Sequence, residues 1–342
     1  MAVKLKPVSE QVIVITGASS GIGLTTARLA AKRGAKLVLA ARNEEALSQL
    51  TDEINSAGGQ AIYVVADVGV EADIIKIEGE ALAKFGNFDT WVNNAATSIY
   101  GKLEDVPIED FRRLFETNFW GTVYGSLVAA RNLKINGGAL INVGSTLSDR
   151  AIPLQGIYCS SKHAVKGFTD ALRMELEAET APVSVTLVKP AAIDTPYKDH
   201  ARNYLDVEPQ NPPPVYAPDT VAETILYCAE NTVRDVFVGG AAKAHSVLGK
   251  YAPRMADKMM ENTMLGQTRS GEPPEERPNE NLYESNDSSL RERGGYEGHV
   301  AESSLYTTAS LHSAITSAVA TGAALALGAG LAYSTLKKKQ GH

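Results

Sequence analysis

Tyr158 and Lys162 lie four apart in Gly156-Ile-Tyr-Cys-Ser-Ser-Lys, which on a helix puts both side chains on one face, one turn apart. A free phenol titrates near pH ~10, too high for proton transfer at neutrality. A neighbouring ammonium favours the phenolate, and a shift of roughly three units takes on the order of 4 kcal/mol of differential stabilisation. A lysine on a wet helix face does not supply that much. A lysine together with a positively charged cofactor ring in a closed site does. Upstream stands Ser145, in Gly144-Ser-Thr-Leu-Ser, a hydroxyl able to polarise an oxygen on which charge develops. The chemistry open to these three is the movement of a proton to or from a substrate oxygen.

Such a cluster needs elements to hold it. Residues 11–16 (Gln-Val-Ile-Val-Ile-Thr) form a run of mostly β-branched residues, as in a strand buried on both faces. The run ends in Thr16-Gly17-Ala-Ser-Ser-Gly21-Ile-Gly23, and a helical stretch follows over 24–33. In that context the glycines let the backbone approach a pyrophosphate, and the helix N-terminus supplies amide donors and a favourable dipole. Ser19 and Ser20 add hydroxyls. A second strand, 36–40, ends at Ala41-Arg42. At that place in a dinucleotide-binding fold an acid reads the 2′-hydroxyl of NAD, whereas a basic residue accommodates the 2′-phosphate of NADP. Arg42, followed by Asn43 and with acids starting only at Glu44, favours NADP(H) over NAD(H). The plainer alternative is a solvated surface arginine.

A third strand, 61–66, runs into Asp67-Val68, where adenine is expected. Residues 70–84 are amphipathic, and a fourth strand, 88–92, runs into Asn93-Asn94-Ala95-Ala96. Small residues there let the backbone pass close to a ligand, although Asp and Asn equally form turns. Residues 107–133 read as one long helix carrying Asn118, which among apolar neighbours needs hydrogen-bond partners. The fifth strand, 139–143, delivers Ser145 to its carboxyl end, where open α/β sheets bind ligands. Residues 165–179 extend the Tyr158 helix. The sixth strand, 183–189, ends in Pro190-Ala-Ala-Ile193, and 235–238 supplies a seventh. The alternation predicts an α/β fold, a doubly wound parallel sheet of about seven strands with helices on both faces.

Length and composition agree. The 342 residues suffice for one large domain plus appendages, and 44% hydrophobic content with 21% charge is globular. A net charge of −7 argues against a nucleic-acid partner. The two cysteines, Cys159 and Cys228, and six dispersed histidines give neither a disulfide framework nor a metal-ligand spacing. No metal is expected. Met1-Ala-Val-Lys-Leu-Lys lacks the apolar run of a signal peptide, so the catalytic part is expected in the cytoplasm.

Together these residues resemble the short-chain dehydrogenase/reductase family over about residues 6–260. The matching motifs are Thr16-Gly17-x-x-x-Gly21-x-Gly23, Asp67, Asn93-Asn94-Ala95, Asn118, Ser145 and Tyr158-x-x-x-Lys162, in family order. The resemblance implies a Rossmann-like fold and hydride exchange between a nicotinamide and a carbonyl or alcohol substrate. It implies Tyr158 as the catalytic acid/base, Ser145 as donor to the substrate oxygen, and Asn118 as support for a proton-relay water. Lys162 would lower the tyrosine pKa and hold the nicotinamide ribose. By the same resemblance Gly17, Ser19, Ser20, Gly21, Ile22 and Gly23 would hold the pyrophosphate. Arg42, Asp67, Val68, Asn94 and Ala95 would line the adenosine side, with Pro190 and Ile193 flanking the nicotinamide. Ala96 and Ala191 stand where the family usually has glycine, each adding one methyl group. A homodimer or homotetramer through the Tyr158 helix and its neighbour is implied as well. The segment 194–218, with Tyr197, His200, Tyr204 and Tyr216, would shape the substrate pocket and could serve as a lid. It names no substrate.

Beyond a catalytic domain over 1–262, residues 263–306 read as a disordered acidic linker. Between Gly271 and Val300 there are eight Asp/Glu against three Arg. Residues 307–336 then carry no Asp, Glu, Lys or Arg, and Lys337-Lys338-Lys339 follows. The segment 307–342 is expected to be an apolar helix with a basic end that contacts a membrane; the alternative is a helix docking on the enzyme or on its oligomer partner. Against the enzyme stands one other class of function, a non-catalytic, membrane-tethered NADP(H)-binding sensor or scaffold. The intact Ser145, Tyr158, Lys162 and Asn118 set favours the enzyme.

Overall fold

Mostly aliphatic runs become strands covered on both faces, and the main sheet is built from seven: β1 (Val12–Thr16), β2 (Lys36–Ala41), β3 (Gln60–Val65), β4 (Thr90–Asn93), β5 (Gly138–Val143), β6 (Val183–Pro190) and β7 (Asp235–Val238). The computed structural model describes residues 3–274, 280–285 and 289–312. The strands form one sheet in the order β7-β6-β5-β4-β1-β2-β3, with every neighbouring pair parallel. Between them run α1 (Gly21–Lys32), α2 (Glu44–Ser56), α3 (Glu71–Phe85), α4 (Ile108–Phe115), α5 (Gly121–Asn136), α6 (Gly156–Ala178) and α7 (Pro218–Glu230).

Side chains alternate across the sheet, so each strand feeds two cores. Ile13 and Ile15 of β1 pack with Leu24 of α1, Leu47 and Leu50 of α2, and Ile225 of α7. Val12 and Val14 pack on the other side with Ile74 and Ile77 of α3, Val128 of α5 and Leu172 of α6. This is the expected α/β architecture. From β1 the chain winds outward through β2 and β3, then restarts beyond β1 at β4. The order therefore reverses between β1 and β4, and the crevice at the carboxyl ends of these strands is where such sheets take ligands.

Two regions differ from the expected layout. The long helix over 107–133 is interrupted by a π-helical turn, Glu116–Trp120, between α4 and α5. The extra residue in that turn re-aims Asn118, and such bulges often mark functional positions. The second difference is the acidic segment. Helix α8 (Gly240–Tyr251) is followed by α9 (Pro253–Gln267), which runs through the expected boundary at 262. Met260 and Met264 of α9 pack with Ile152 and Cys159. The described residues of the segment read as a disordered linker lie on the domain instead. Leu282 is 0% exposed, Val300–Ala301 pairs with Val215–Tyr216, and α10 (Leu305–Leu311) ends where the Tyr227 hydroxyl donates to the Leu311 carbonyl at 2.6 Å. Composition weighs how much apolar area a segment can bury by itself; this one is held by hydrogen bonds to the domain. Among the described residues no helix is long and apolar enough to cross a membrane. The apolar stretch 314–331 lies outside them.

Candidate active site

One cleft of about 290 Å³ joins the glycine turn to the hydroxyl cluster. Its walls come from the segments that leave β1, β2, β3, β4, β5 and β6 at their carboxyl ends. Every site residue expected from the sequence lines it except Gly23 and Asn118.

At the β1 end, Gly17 takes φ +67° and a Cβ there would lie 2.8 Å from the Ala95 Cα, so only glycine fits. A Cβ on Gly23 would run into the Gly17 carbonyl oxygen. Gly23 thus shapes the turn from behind instead of facing the cleft. Asn94 does similar work, since its Nδ2 donates to the Thr16 and Gly17 carbonyls at 3.0 and 3.2 Å. The Ala95 amide donates to the Thr16 hydroxyl at 3.2 Å. Ser20 is the N-cap of α1 but makes no side-chain cap bond, which leaves its hydroxyl to a ligand. The cradle therefore suits a phosphate: a turn that excludes Cβ atoms, a free hydroxyl and a helix N-terminus.

The adenosine side is less open than expected. Asp67 accepts from the Gly69 amide at 2.9 Å and from Arg113 Nη2 at 2.5 Å, so its carboxylate is largely committed. Arg42 Nη1 donates to the Tyr283 carbonyl at 3.0 Å and its Nη2 to that of Asn281 at 2.5 Å. Asn281 and Ser285 of the acidic segment themselves line the cleft.

At the other end α6 carries Tyr158 and Lys162, exposed by only 7% and 2%. Lys162 Nζ donates to the Val143 carbonyl at 2.8 Å and lies 5.8 Å from the centroid of the Tyr158 ring. Ser145 caps the short turn Thr146–Ser148, its Oγ accepting from the Leu147 amide at 3.1 Å. That contact fixes the hydroxyl near Tyr158, whose pKa it works to lower. Tyr197 packs edge-on against Tyr158 with ring centroids 5.6 Å apart, and its hydroxyl works to lower the Tyr158 pKa. Gln155 Nε2 donates to the Tyr197 hydroxyl at 3.3 Å and to the Ser98 hydroxyl at 3.2 Å.

In the chain by itself, burial sets the ionisable groups here. Burial pushes the Tyr158 phenol up to about 12, with the hydroxyls of Tyr197 and Ser145 opposing it. Burial likewise brings the Lys162 ammonium down to about 8. Desolvation is the largest cause of both shifts, since it disfavours the charged form of each group.

Asn118 is 0% exposed. Its Oδ1 accepts from the Thr97 amide at 2.8 Å, and its Nδ2 donates to the Thr97 carbonyl at 2.9 Å and to the Ser161 hydroxyl at 3.2 Å. The side chain thus ties the π turn to α6 and to the strand-end loop that carries Thr97 and Ser98. Beneath it, Asn93 Nδ2 donates to Asn142 Oδ1 at 2.8 Å, and Asn142 Nδ2 to the Thr169 hydroxyl at 2.9 Å. This satisfied buried network locks α6 against β4 and β5. The buried hydroxyls of Thr97 and Thr117, both lining the cleft, have no partner among the described residues. Orphaned polar atoms of this kind point to a ligand or water at that place.

Sequence reasoning noticed Tyr197 in the loop after β6 without placing it on the catalytic tyrosine, and it missed Gln155, Ser98 and the covering segment. An asparagine in the apolar run Ala139-Leu-Ile-Asn142-Val was a usable signal for the buried network.

Comparisons with known proteins fit this site. A family model described as short chain dehydrogenase matches residues 11–205. The uncharacterized oxidoreductase YxnA of Bacillus subtilis is 49% identical over 322 residues, covering 93% of this chain and 90% of that protein. An 11-beta-hydroxysteroid dehydrogenase A of Arachis hypogaea is 34% identical over 238 residues, 68% of this chain and 67% of that one. Among solved structures, an alcohol dehydrogenase from the archaeon Thermococcus sibiricus, complexed with 5-hydroxy-NADP, superposes with a TM-score of 0.59 at 27% identity, covering 67% of this chain and 95% of that one.

Proposed function

The chain belongs to the short-chain dehydrogenase/reductase family and is an oxidoreductase of that family; on that premise we propose that it is an NADP(H)-dependent reductase of apolar carbonyl compounds, with Tyr158 as the proton donor. The observation that carries the reading is the single cleft in which a phosphate cradle and a buried Ser145–Tyr158–Lys162 cluster meet. A nicotinamide cofactor held there supplies the hydride. Gly17, Ser20 and the first-turn amides of α1 would hold its pyrophosphate, Arg42 a 2′-phosphate, and Lys162 the nicotinamide ribose. The preference for NADP(H) rests on the basic residue that follows β2 and on the absence of an acid before Glu44. The Thermococcus alcohol dehydrogenase is complexed with an NADP derivative, which supports the same preference.

Tyr158 holds its proton on the phenol oxygen across the neutral range, because burial raises its pKa. That state suits donation to a carbonyl oxygen, the reductive direction. Ser145 would bond the same oxygen as charge builds on it. Ile152, Leu147 and Met264 face the space beside the cluster, which favours an apolar substrate; the hydroxysteroid relative makes keto-steroids a natural class to try.

The test is NADPH oxidation by the purified full chain across aldehydes, ketones, quinones and keto-steroids. Turnover is expected on one class, with Tyr158→Phe lowering kcat at least ~100-fold, the usual worth of a general acid. Full turnover by Tyr158→Phe would overturn the proton-donor assignment. Tight NADPH binding without turnover on any class would favour a sensor.

A further inference from the structure

We propose that the C-terminal segment over residues 280–285 and 289–296 is a strap that closes the dinucleotide cleft and competes with the cofactor for the groups that bind it. The proposal rests on the dinucleotide reading of the cleft given above. On the cofactor side the strap occupies the donors meant for phosphate. The Gly21 amide, in the first turn of α1, donates to the Arg291 carbonyl at 2.9 Å. Both terminal nitrogens of Arg42 reach carbonyls of the strap. Asn43 Nδ2 donates to the Ser285 carbonyl at 3.2 Å, and outside the cleft Arg28 Nη1 fastens Glu292 at 2.8 Å. One amide proton cannot serve the Arg291 carbonyl and a pyrophosphate oxygen together.

On the substrate side the same strap grips the loop after β6. The amides of Gly294 and Tyr296 donate to Asp194 Oδ1 at 3.1 and 3.0 Å. The Asn281 amide donates to the His200 carbonyl at 2.7 Å, and Arg202 Nη1 to Glu280 at 2.6 Å. The strap therefore couples the cofactor donors to the loop that bears Tyr197. Displacing it would free both.

Its attachment is that of an element built to move. Leu282 is the anchor, fully buried beside Ile99 and Leu114, and Tyr283 adds a hydrogen bond from its hydroxyl to Asp110 at 2.7 Å. Most of its other contacts are polar and near the surface. Asn281 buries its side-chain oxygen without a partner among the described residues, an unfavourable feature of the closed state. Main-chain carbonyls of the strap sit on the Arg42 guanidinium and on the helix N-terminus that an anionic dinucleotide also needs. The two ligands have like chemistry, so they exclude one another.

Hydrogen–deuterium exchange on the wild-type full chain tests this directly. Adding NADPH is expected to speed exchange in peptides covering 289–296 and 280–285, because the bound cofactor displaces the strap. Leu282→Ala is expected to tighten NADPH binding about tenfold, read by nicotinamide fluorescence, as for a site closed roughly ten to one and then released. Tyr283→Phe should act in the same direction with a smaller change. Slower or unchanged exchange on NADPH addition, or weaker binding by both variants, would overturn the proposal and make the strap a fixed wall. If neither the wild type nor the variants bind NADPH or NADH, the dinucleotide reading itself falls. If the wild type binds and turns over while exchange and affinity do not respond, only the strap falls.

Discussion

The catalytic cluster and the strap crossing hold their charged groups by opposite means. Lys162 is 2% exposed and donates to a neutral carbonyl, while Tyr158 is buried against other hydroxyls. At the crossing, Arg28 lies between Glu53 and Glu292 with about a third of its side chain exposed, and Arg113 pairs with Asp67. The first arrangement is costly and rigid, paid for by the surrounding core, and it is ready for chemistry before any ligand arrives. The second rests on ion pairs nearer the surface, each worth little, and on Arg42 and Gly21 bonds to strap carbonyls, which can be exchanged for a ligand's phosphates. A site of this kind separates what must be preorganised from what must open.

The contrast is broken most severely at Lys162. Lys162→Met is expected to lower turnover at least ~100-fold, through loss of the ribose contact and of the charge beside the phenol. Its stability should change in a defined way. A lysine whose pKa falls from 10.5 to about 8 on folding binds fewer protons folded than unfolded between those values. Wild-type stability therefore rises with pH through that window, and at pH 7 the buried charge costs on the order of 3 kcal/mol. Denaturant midpoints across pH 8 to 10.5 should show this rise in the wild type and lose it in Lys162→Met. An identical pH dependence in both would show that the charge is not desolvated.

Next in size is Arg42→Asp. It is expected to weaken NADP(H) binding by roughly tenfold to a hundredfold, the worth of a charge-assisted hydrogen bond, and to spare NAD(H). Titrations of both cofactors check it, and equal weakening would remove the 2′-phosphate role. The smallest effect is expected at Tyr197→Phe, where losing one neutral hydroxyl beside Tyr158 should lower kcat by roughly 2- to 10-fold and leave NADPH affinity unchanged. A kcat at the wild-type level would make Tyr197 only a packing residue.

Much of the fold and of the cleft lining was legible from local rules. The turn after β1 announced itself because backbone at φ +67° beside Ala95 admits only glycine, and that demand is written in the residue type. Tyr158 and Lys162 share a face because of the helical repeat alone. Asn118 was legible as a polar residue needing partners, but its partners, Thr97 and Ser161, depend on a π turn that periodicity does not encode. The direction of the Tyr158 and Lys162 shifts was not legible either, since burial, not the neighbour's identity, decides it.

The sequence by itself determined the strand, turn and helix order, the sheet's two apolar faces and the residue types at the cleft, because these follow from periods and steric limits spanning a few residues. Only the tertiary structure decided what covers the cleft. Arg42 meets a carbonyl 241 positions away along the chain, and the Gly21 amide meets Arg291. Main-chain carbonyls are the same at every residue, so no composition or spacing marks which of them will occupy a given guanidinium; that is settled by where the folded chain brings them.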